Sequence, residues 1–169
     1  MVNIANLQTM KLRLPPMSMY IHIPWCSRKC PYCDFNSHER VKKIPEKKYV
    51  EALIADIKSD LHLVQGRKLS SLFFGGGTPS LFTGSSISEV IQSAEKMIGF
   101  NDGVEITMEA NPESVNPQKL QDFFQAGINR ISIGVQTFDD EQLSLLGRMH
   151  SSYSAREAVE MAKIAGFKK

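Results

Sequence analysis

Residues 17–35 read MSMYIHIPWCSRKCPYCDF. The first part is rich in β-formers in imperfect alternation, and Pro24 stops it, which predicts a strand over 17–24. That strand delivers the chain straight into a loop with the spacing C-x3-C-x2-C, at Cys26, Cys30 and Cys33. These are all three cysteines of the sequence. An odd number packed so closely cannot build a disulfide framework. With no export signal in view, a reducing compartment is expected, and so the cytoplasm. Thiolates are soft ligands for iron–sulfur clusters, zinc or Cu(I). Arg28 and Lys29 place cationic charge beside them. Three protein thiolates on a four-iron cubane leave one iron open to a small molecule. Trp25, Tyr32 and Phe35 are expected to shield such a cluster from water. A zinc site needs a fourth ligand, which His22 or His38 is placed to supply, but the paired knuckles or distant His pair of structural zinc sites are not seen. His22 is otherwise read as packed within its strand, and His38, His62 and His150 as exposed polar residues.

Outward from that stretch, strands and helices alternate. After Pro45, residues 46–64 carry Val50, Leu53, Ile54, Ile57, Leu61 and Val64 at helical spacing and predict one amphipathic helix, stopped by Gly66. Leu69 to Phe74 predicts a second strand, running into Gly75, Gly76 and Gly77. A second helix is expected from about Ser86 to Ile98, capped by Ser86 or Ser88. Val104 to Glu109 alternates as a third strand, and Asn116-Pro117 opens a helix to about Ala126. Asn129 to Val135 predicts a fourth strand. A short helix follows from Asp139, and another from Ser152 to Ala165, ended by Gly166. Phe73, Phe74, Phe123 and Phe124 are assigned to the core.

Such alternation with short connections implies right-handed βαβ units and a parallel sheet, either doubly wound or part of an α/β barrel. Phe167-Lys168-Lys169 stands where a fifth strand is expected, and a four-strand sheet leaves two open edges. The expected fold is therefore α/β, the N-terminal part of a partial (β/α) barrel. Residues 1–16 form a lead-in, and 17–169 a core that stops after about four β/α units. In barrels, chemistry gathers at the C-terminal ends of strands. The cysteines, the glycine run with Thr78, Glu109 and Gln136 stand at four such ends in succession. Glycines there let backbone groups approach a ligand closely, and no GxGxxG marks a dinucleotide site.

Composition narrows the partners. The chain has 169 residues, 42% hydrophobic and 22% charged, which fits one globular domain. Twenty Lys and Arg against eighteen Asp and Glu leave a net charge of only +2. That balance makes no case for nucleic acid or an anionic membrane as partner. No run approaches the roughly 18 apolar residues of a membrane span.

The motifs taken together are specific. C-x3-C-x2-C with Tyr32 just before the third cysteine, followed by the Gly-Gly-Gly-Thr-Pro run, resembles the radical S-adenosylmethionine (SAM) superfamily. YIHIPWC, KCPYCDFNSH, FFGGGTPS and EANPES are similar to its coproporphyrinogen-oxidase-like branch, and within it to haem chaperones of the HemW type. The resemblance covers nearly everything from Met17 on. It implies a 4Fe-4S cluster held by Cys26, Cys30 and Cys33. It implies SAM contacts from Tyr20, Tyr32, Gly76, Gly77, Thr78, Glu109, Gln136 and Arg148. Of these, Arg148 in LLGRMH is matched to an arginine that grips the SAM carboxylate, a task that suits guanidinium. The implied chemistry is one-electron reduction of SAM, with the protein supplying orientation and a dry pocket. The implied partners are haem or a related tetrapyrrole, a haem-acceptor protein, and an electron donor such as flavodoxin or ferredoxin. Coproporphyrinogen dehydrogenases continue to a fourth cysteine two residues after the third, where this chain has Phe35. That departure favours haem trafficking over oxygen-independent coproporphyrinogen III oxidation; a zinc-binding α/β module is the further alternative. The branch continues through later strands and a C-terminal domain, where its fifth strand and haem contacts are expected.

Overall fold

The computed structural model describes residues 14–39 and 43–169. The lead-in reading for 1–16 therefore lies mostly outside the described residues. Four parallel strands form the main sheet: β1 (Met17–Ile23), β2 (Leu69–Gly76), β3 (Phe100–Ala110) and β4 (Arg130–Ile133). Their spatial order is their chain order, and all three pairings are parallel. A doubly wound sheet reverses order at its centre. This one does not, which settles the choice in favour of barrel-type winding. Along the far edge of β4, the Ile131 amide donates to the Lys169 carbonyl at 3.2 Å, so 167–169 do run where a fifth strand was expected. A short parallel pair, Trp25–Cys26 with His38–Glu39, closes the cysteine loop upon itself.

Alternation along the strands separates two faces. On one, Ile21, Ile23, Leu72, Phe74, Ile106 and Met108 are buried. They meet the apolar stripes of α1 (Glu46–Ser59), α3 (Gly84–Met97), α4 (Pro117–Gln125) and α6 (Ser152–Ile164) in a continuous core. The other face carries Tyr20, His22, Phe73, Thr107 and Glu109. The register is tight: Tyr20 pairs with Phe73, His22 with Gly75, and Phe73 with Thr107. Tyr20 and Phe73 stack with ring centroids 6.1 Å apart.

Several boundaries depart from expectation. The helix expected over 46–64 breaks at Asp60, giving α1 and a short α2 (Leu61–Val64). Gln65 then turns left-handed with φ 54°, one residue before Gly66. α3 starts earlier than expected, and its cap is Thr83, not Ser86 or Ser88. The Thr83 hydroxyl accepts the Ser86 amide at 3.3 Å. Thr83 is selected by a distant partner: Glu46 Oε1 accepts both its amide, at 2.6 Å, and its hydroxyl, at 2.7 Å. β2 and β3 extend further than the alternation indicated, whereas β4 is shorter. Asn116 caps α4 as read, accepting the Lys119 amide at 2.9 Å. Asp139 caps α5 (Asp140–Leu145) through the amides of Glu141 and Gln142. Ser151 caps α6 in a reciprocal box with Ser154.

The four phenylalanines divide. Phe74 and Phe123 are fully buried, but Phe73 lies on the open face and Phe124 is 39% exposed, edge-on to Phe167. The core assignment of Phe73 and Phe124 is corrected accordingly: in each pair, one ring enters the buried core and its neighbour stays outside it. Truncating a fully buried ring removes its packing and leaves a cavity. Phe123→Ala is expected to lower stability by about 3–5 kcal/mol in urea unfolding, and Phe124→Ala by clearly less.

Candidate functional site

The four strands bring their C-terminal ends to one cleft of about 250 Å³. Its wall includes all three cysteines and Tyr32, Gly76, Gly77, Thr78, Glu109, Gln136 and Arg148. Every sequence-predicted residue but Tyr20 is thus brought together. Tyr20 stands beside the cleft, where its hydroxyl lies 3.2 Å from His22 Nδ1.

The cysteine loop is shaped by its own backbone. The Cys33 amide donates to the Cys30 carbonyl at 3.1 Å, and the His38 amide to the Pro24 carbonyl at 2.7 Å. Lys29 Nζ reaches across to the carbonyls of Phe35 and Ser37 at 3.3 and 3.2 Å. Tyr32 and Phe35 line the cleft while staying half-exposed. Trp25 does not shield the loop as expected. It turns into the core, with its ring centroid 4.7 Å from that of Tyr49 and 5.9 Å from that of Phe82.

The glycine loop lies directly against it. The Gly77 amide donates to the Ile23 carbonyl at 2.8 Å and the Thr78 amide to the Trp25 carbonyl at 2.7 Å. A Cβ on Gly77 would come within 2.6 Å of that Trp25 oxygen and 3.0 Å of Cys26 Sγ. Gly76 has φ 114°, and a Cβ there would strike the His22 ring at 2.7 Å. Only glycine permits this approach. His22, read as merely packed, is therefore the surface on which Gly76 rests. Its Nε2 lies 2.8 Å from the Asn36 carbonyl, which ties it back to the cysteine loop.

Arg148 crosses the cleft. Its Nη2 donates to Asn111 Oδ1 and to the Gly134 carbonyl, each at 2.7 Å, and its Nη1 lies 3.5 Å from Cys30 Sγ. Its Nε is buried without a hydrogen-bond partner. Asn111, which the sequence reading passed over, also donates through Nδ2 to Thr78 Oγ1 at 3.2 Å. Its position at the end of a strand, beside Glu109, was the available signal. Glu109 Oε2 accepts the Gly76 amide at 3.3 Å. Burial raises its carboxyl above the ordinary value, and the Gly76 amide offsets part of that rise. Tyr20 is also raised, by burial first and by the nearby Glu109 charge second. Burial raises Tyr32 too, together with its hydrogen bond to Cys30.

His150 corrects another expectation. It is buried, 6% exposed, not a surface polar residue. His38 and His62 are exposed as read. Among the described residues, no three His, Cys, Asp or Glu side chains lie close enough to hold a single metal ion. No helix among them is long and apolar enough to cross a membrane.

The fold and cleft define an α/β protein of barrel-type winding in which three free thiols on one loop share a cleft with a close-packed glycine turn and Arg148. More particularly, the radical SAM superfamily profile matches residues 20–169, so the chain belongs to that superfamily. It is 49% identical to the heme chaperone HemW of Haemophilus influenzae, over 92% of this chain and 42% of that protein. It is 45% identical to the heme chaperone HemW of Escherichia coli K12, over 93% and 42%. The chain thus spans about two fifths of the length of these curated relatives. Among solved structures, it superposes on coproporphyrinogen III oxidase HemN from Escherichia coli, described as a radical SAM enzyme. The TM-score is 0.82 at 31% identity, covering 90% of this chain and 35% of that one. The fold is accordingly the partial-barrel arrangement of that family.

The raised carboxyl of Glu109 has a consequence for stability. The folded chain holds this proton more tightly than the unfolded chain does. Its contribution to stability is therefore present at acid pH and lost as pH rises through the folded-state value. Glu109→Gln keeps an oxygen for the Gly76 amide and removes the charge. The variant is expected to be more stable than wild type at neutral pH, with the gain vanishing as pH falls below the carboxylate range. Urea midpoints across pH check this; a gain that persists in acid rules burial out as the cause.

Proposed function

We propose that this chain is the cofactor-binding part of a radical SAM haem chaperone. Cys26, Cys30 and Cys33 hold a 4Fe-4S cluster, and SAM lies across the cleft. The residues fit these groups on their own chemistry. The thiols are free and line the same cleft. Softness suits them to iron–sulfur centres. Gly76 and Gly77 present backbone where any Cβ would collide. The carboxylate of Glu109, held by the Gly76 amide, is placed to accept from the amino group of SAM. Arg148 brings a positive charge to the cleft for the carboxylate of SAM, with Nη1 on the side of Cys30 as the donor least committed to the surrounding web. When bound, the cluster supplies one electron to SAM. The chain's own residues orient the ligand and narrow its access to water, with Tyr32 and Phe35 at the rim.

Haem trafficking follows from the relatives named as heme chaperones at 45–49% identity. The observation that carries the choice is Phe35. It is 60% exposed on the cleft wall, at the position where coproporphyrinogen dehydrogenases have a fourth cysteine. Oxidation of coproporphyrinogen is kept as the second reading because of the superposition on HemN. In the haem-chaperone reading, the partners are haem, a haem-acceptor protein and a one-electron donor such as flavodoxin or ferredoxin, and the setting is cytoplasmic.

Anaerobic iron–sulfur reconstitution tests the assignment. The wild-type chain is expected to show a reduced-cluster EPR signal that changes when SAM is added. Cys26→Ala, Cys30→Ala and Cys33→Ala are each expected to lose it. Stoichiometric zinc without an iron–sulfur spectrum would reject the cluster. Saturable haem binding without porphyrin formation from coproporphyrinogen supports trafficking; porphyrin formation supports the second reading.

A further inference from the structure

His150 has no place in the site as described so far, yet its side chain is completely enclosed. It follows Arg148 by two residues. Its Nε2 lies 3.0 Å from the Val135 carbonyl. A carbonyl only accepts, so Nε2 carries a proton and donates it. On the other side of the ring, Nδ1 lies 3.4 Å from Glu113 Oε2, at ion-pair distance but outside hydrogen-bond geometry. The imidazole therefore spans two loops: the turn after β3, which carries Glu113, and the loop after β4, which carries Val135.

That second loop is under strain. Gln136, the next residue, has φ 72°. Left-handed backbone is unfavourable for a residue with a Cβ, by roughly 1–3 kcal/mol, and persists only where neighbours enforce it. Two residues before Gln136, Gly134 gives its carbonyl to Arg148. Segment 148–150 thus grips successive carbonyls of the β4 loop, Gly134 through Arg148 and Val135 through His150. Gln136 is left facing the cleft. An apolar side chain of similar size would fill the same space and hold neither loop.

We propose that His150 is a positioning residue of the cleft. Its Nε2–H bond to Val135 enforces the left-handed turn at Gln136 and keeps Gln136 and Arg148 on one wall. Its consequence for ligand affinity rests on the reading of the cleft as a SAM site; its hold on the loop does not.

The test compares His150→Leu, which fills the space without a donor, with His150→Gln, whose amide can still reach Val135. In the cofactor-free chain, amide exchange over 134–137 is expected to speed up about tenfold in His150→Leu, the worth of one buried hydrogen bond. In His150→Gln it is expected to stay near wild type. After anaerobic reconstitution, SAM affinity is expected to follow the same order. Unchanged exchange in a folded His150→Leu, or failure of His150→Gln to rescue it, overturns the proposal. Altered exchange in a chain whose wild type binds no SAM rejects the cofactor reading and leaves the positioning role standing. Should His150→Leu not fold, ring 15N shifts of wild-type His150 decide: a neutral ring with its proton on Nδ1 alone overturns the proposal.

Discussion

Two backbone hydrogen bonds, Gly77 to Ile23 and Thr78 to Trp25, join the end of β1 to the end of β2. The rest of the cleft depends on them. They run between main chains, so they fix the gap between the cysteine loop and the glycine loop independently of any side chain. The gap is narrow enough that Gly77 faces the Trp25 carbonyl and Cys26 Sγ with no room for a Cβ. His22 supports the same junction from below, wedged under Gly76 and tied to the Asn36 carbonyl. A main-chain clamp of this kind holds the three-thiol loop against the glycine loop without calling on any side chain.

The opposite wall is built differently. There Asn111 and Arg148 form a side-chain web that links the ends of β2, β3 and β4 through Thr78, Asn111 and the Gly134 carbonyl. Arg148 spends its Nη2 on this web, keeps its Nη1 near Cys30, and leaves its Nε unpaired. Burial of a guanidinium is tolerable when most of its donors are engaged. One wall is joined through main-chain bonds, and the other through side chains.

Much of this was legible from residue order. The alternation of strands and helices, the cysteine spacing and the glycine run located four strand ends and most of one cleft wall. What escaped depends on partners far away in sequence. Thr83, Ser86 and Ser88 have comparable capping chemistry, and it is Glu46, from another helix, that selects Thr83. Histidine in an exposed-looking GRMH segment gives no local hint of burial; Val135 and Glu113 create it. Phe73 and Phe74, or Phe123 and Phe124, are equivalent to composition and differ only in the face each takes. Trp25 reads as a shield because it neighbours Cys26, yet Tyr49 and Phe82 draw it inward.

The pairing of β1 with β2 ties these separate matters together. Tyr20 opposes Phe73 and Ile21 opposes Phe74. Since side chains alternate, slippage of β1 by a single position would swap its two sets of side chains. Ile21 and Ile23 would then be thrust among polar groups, and Tyr20 and His22 driven beneath the helices. The penalty for misalignment is thus charged to the oily interior. The protein thus keeps the crevice in register from behind, through its greasy underside.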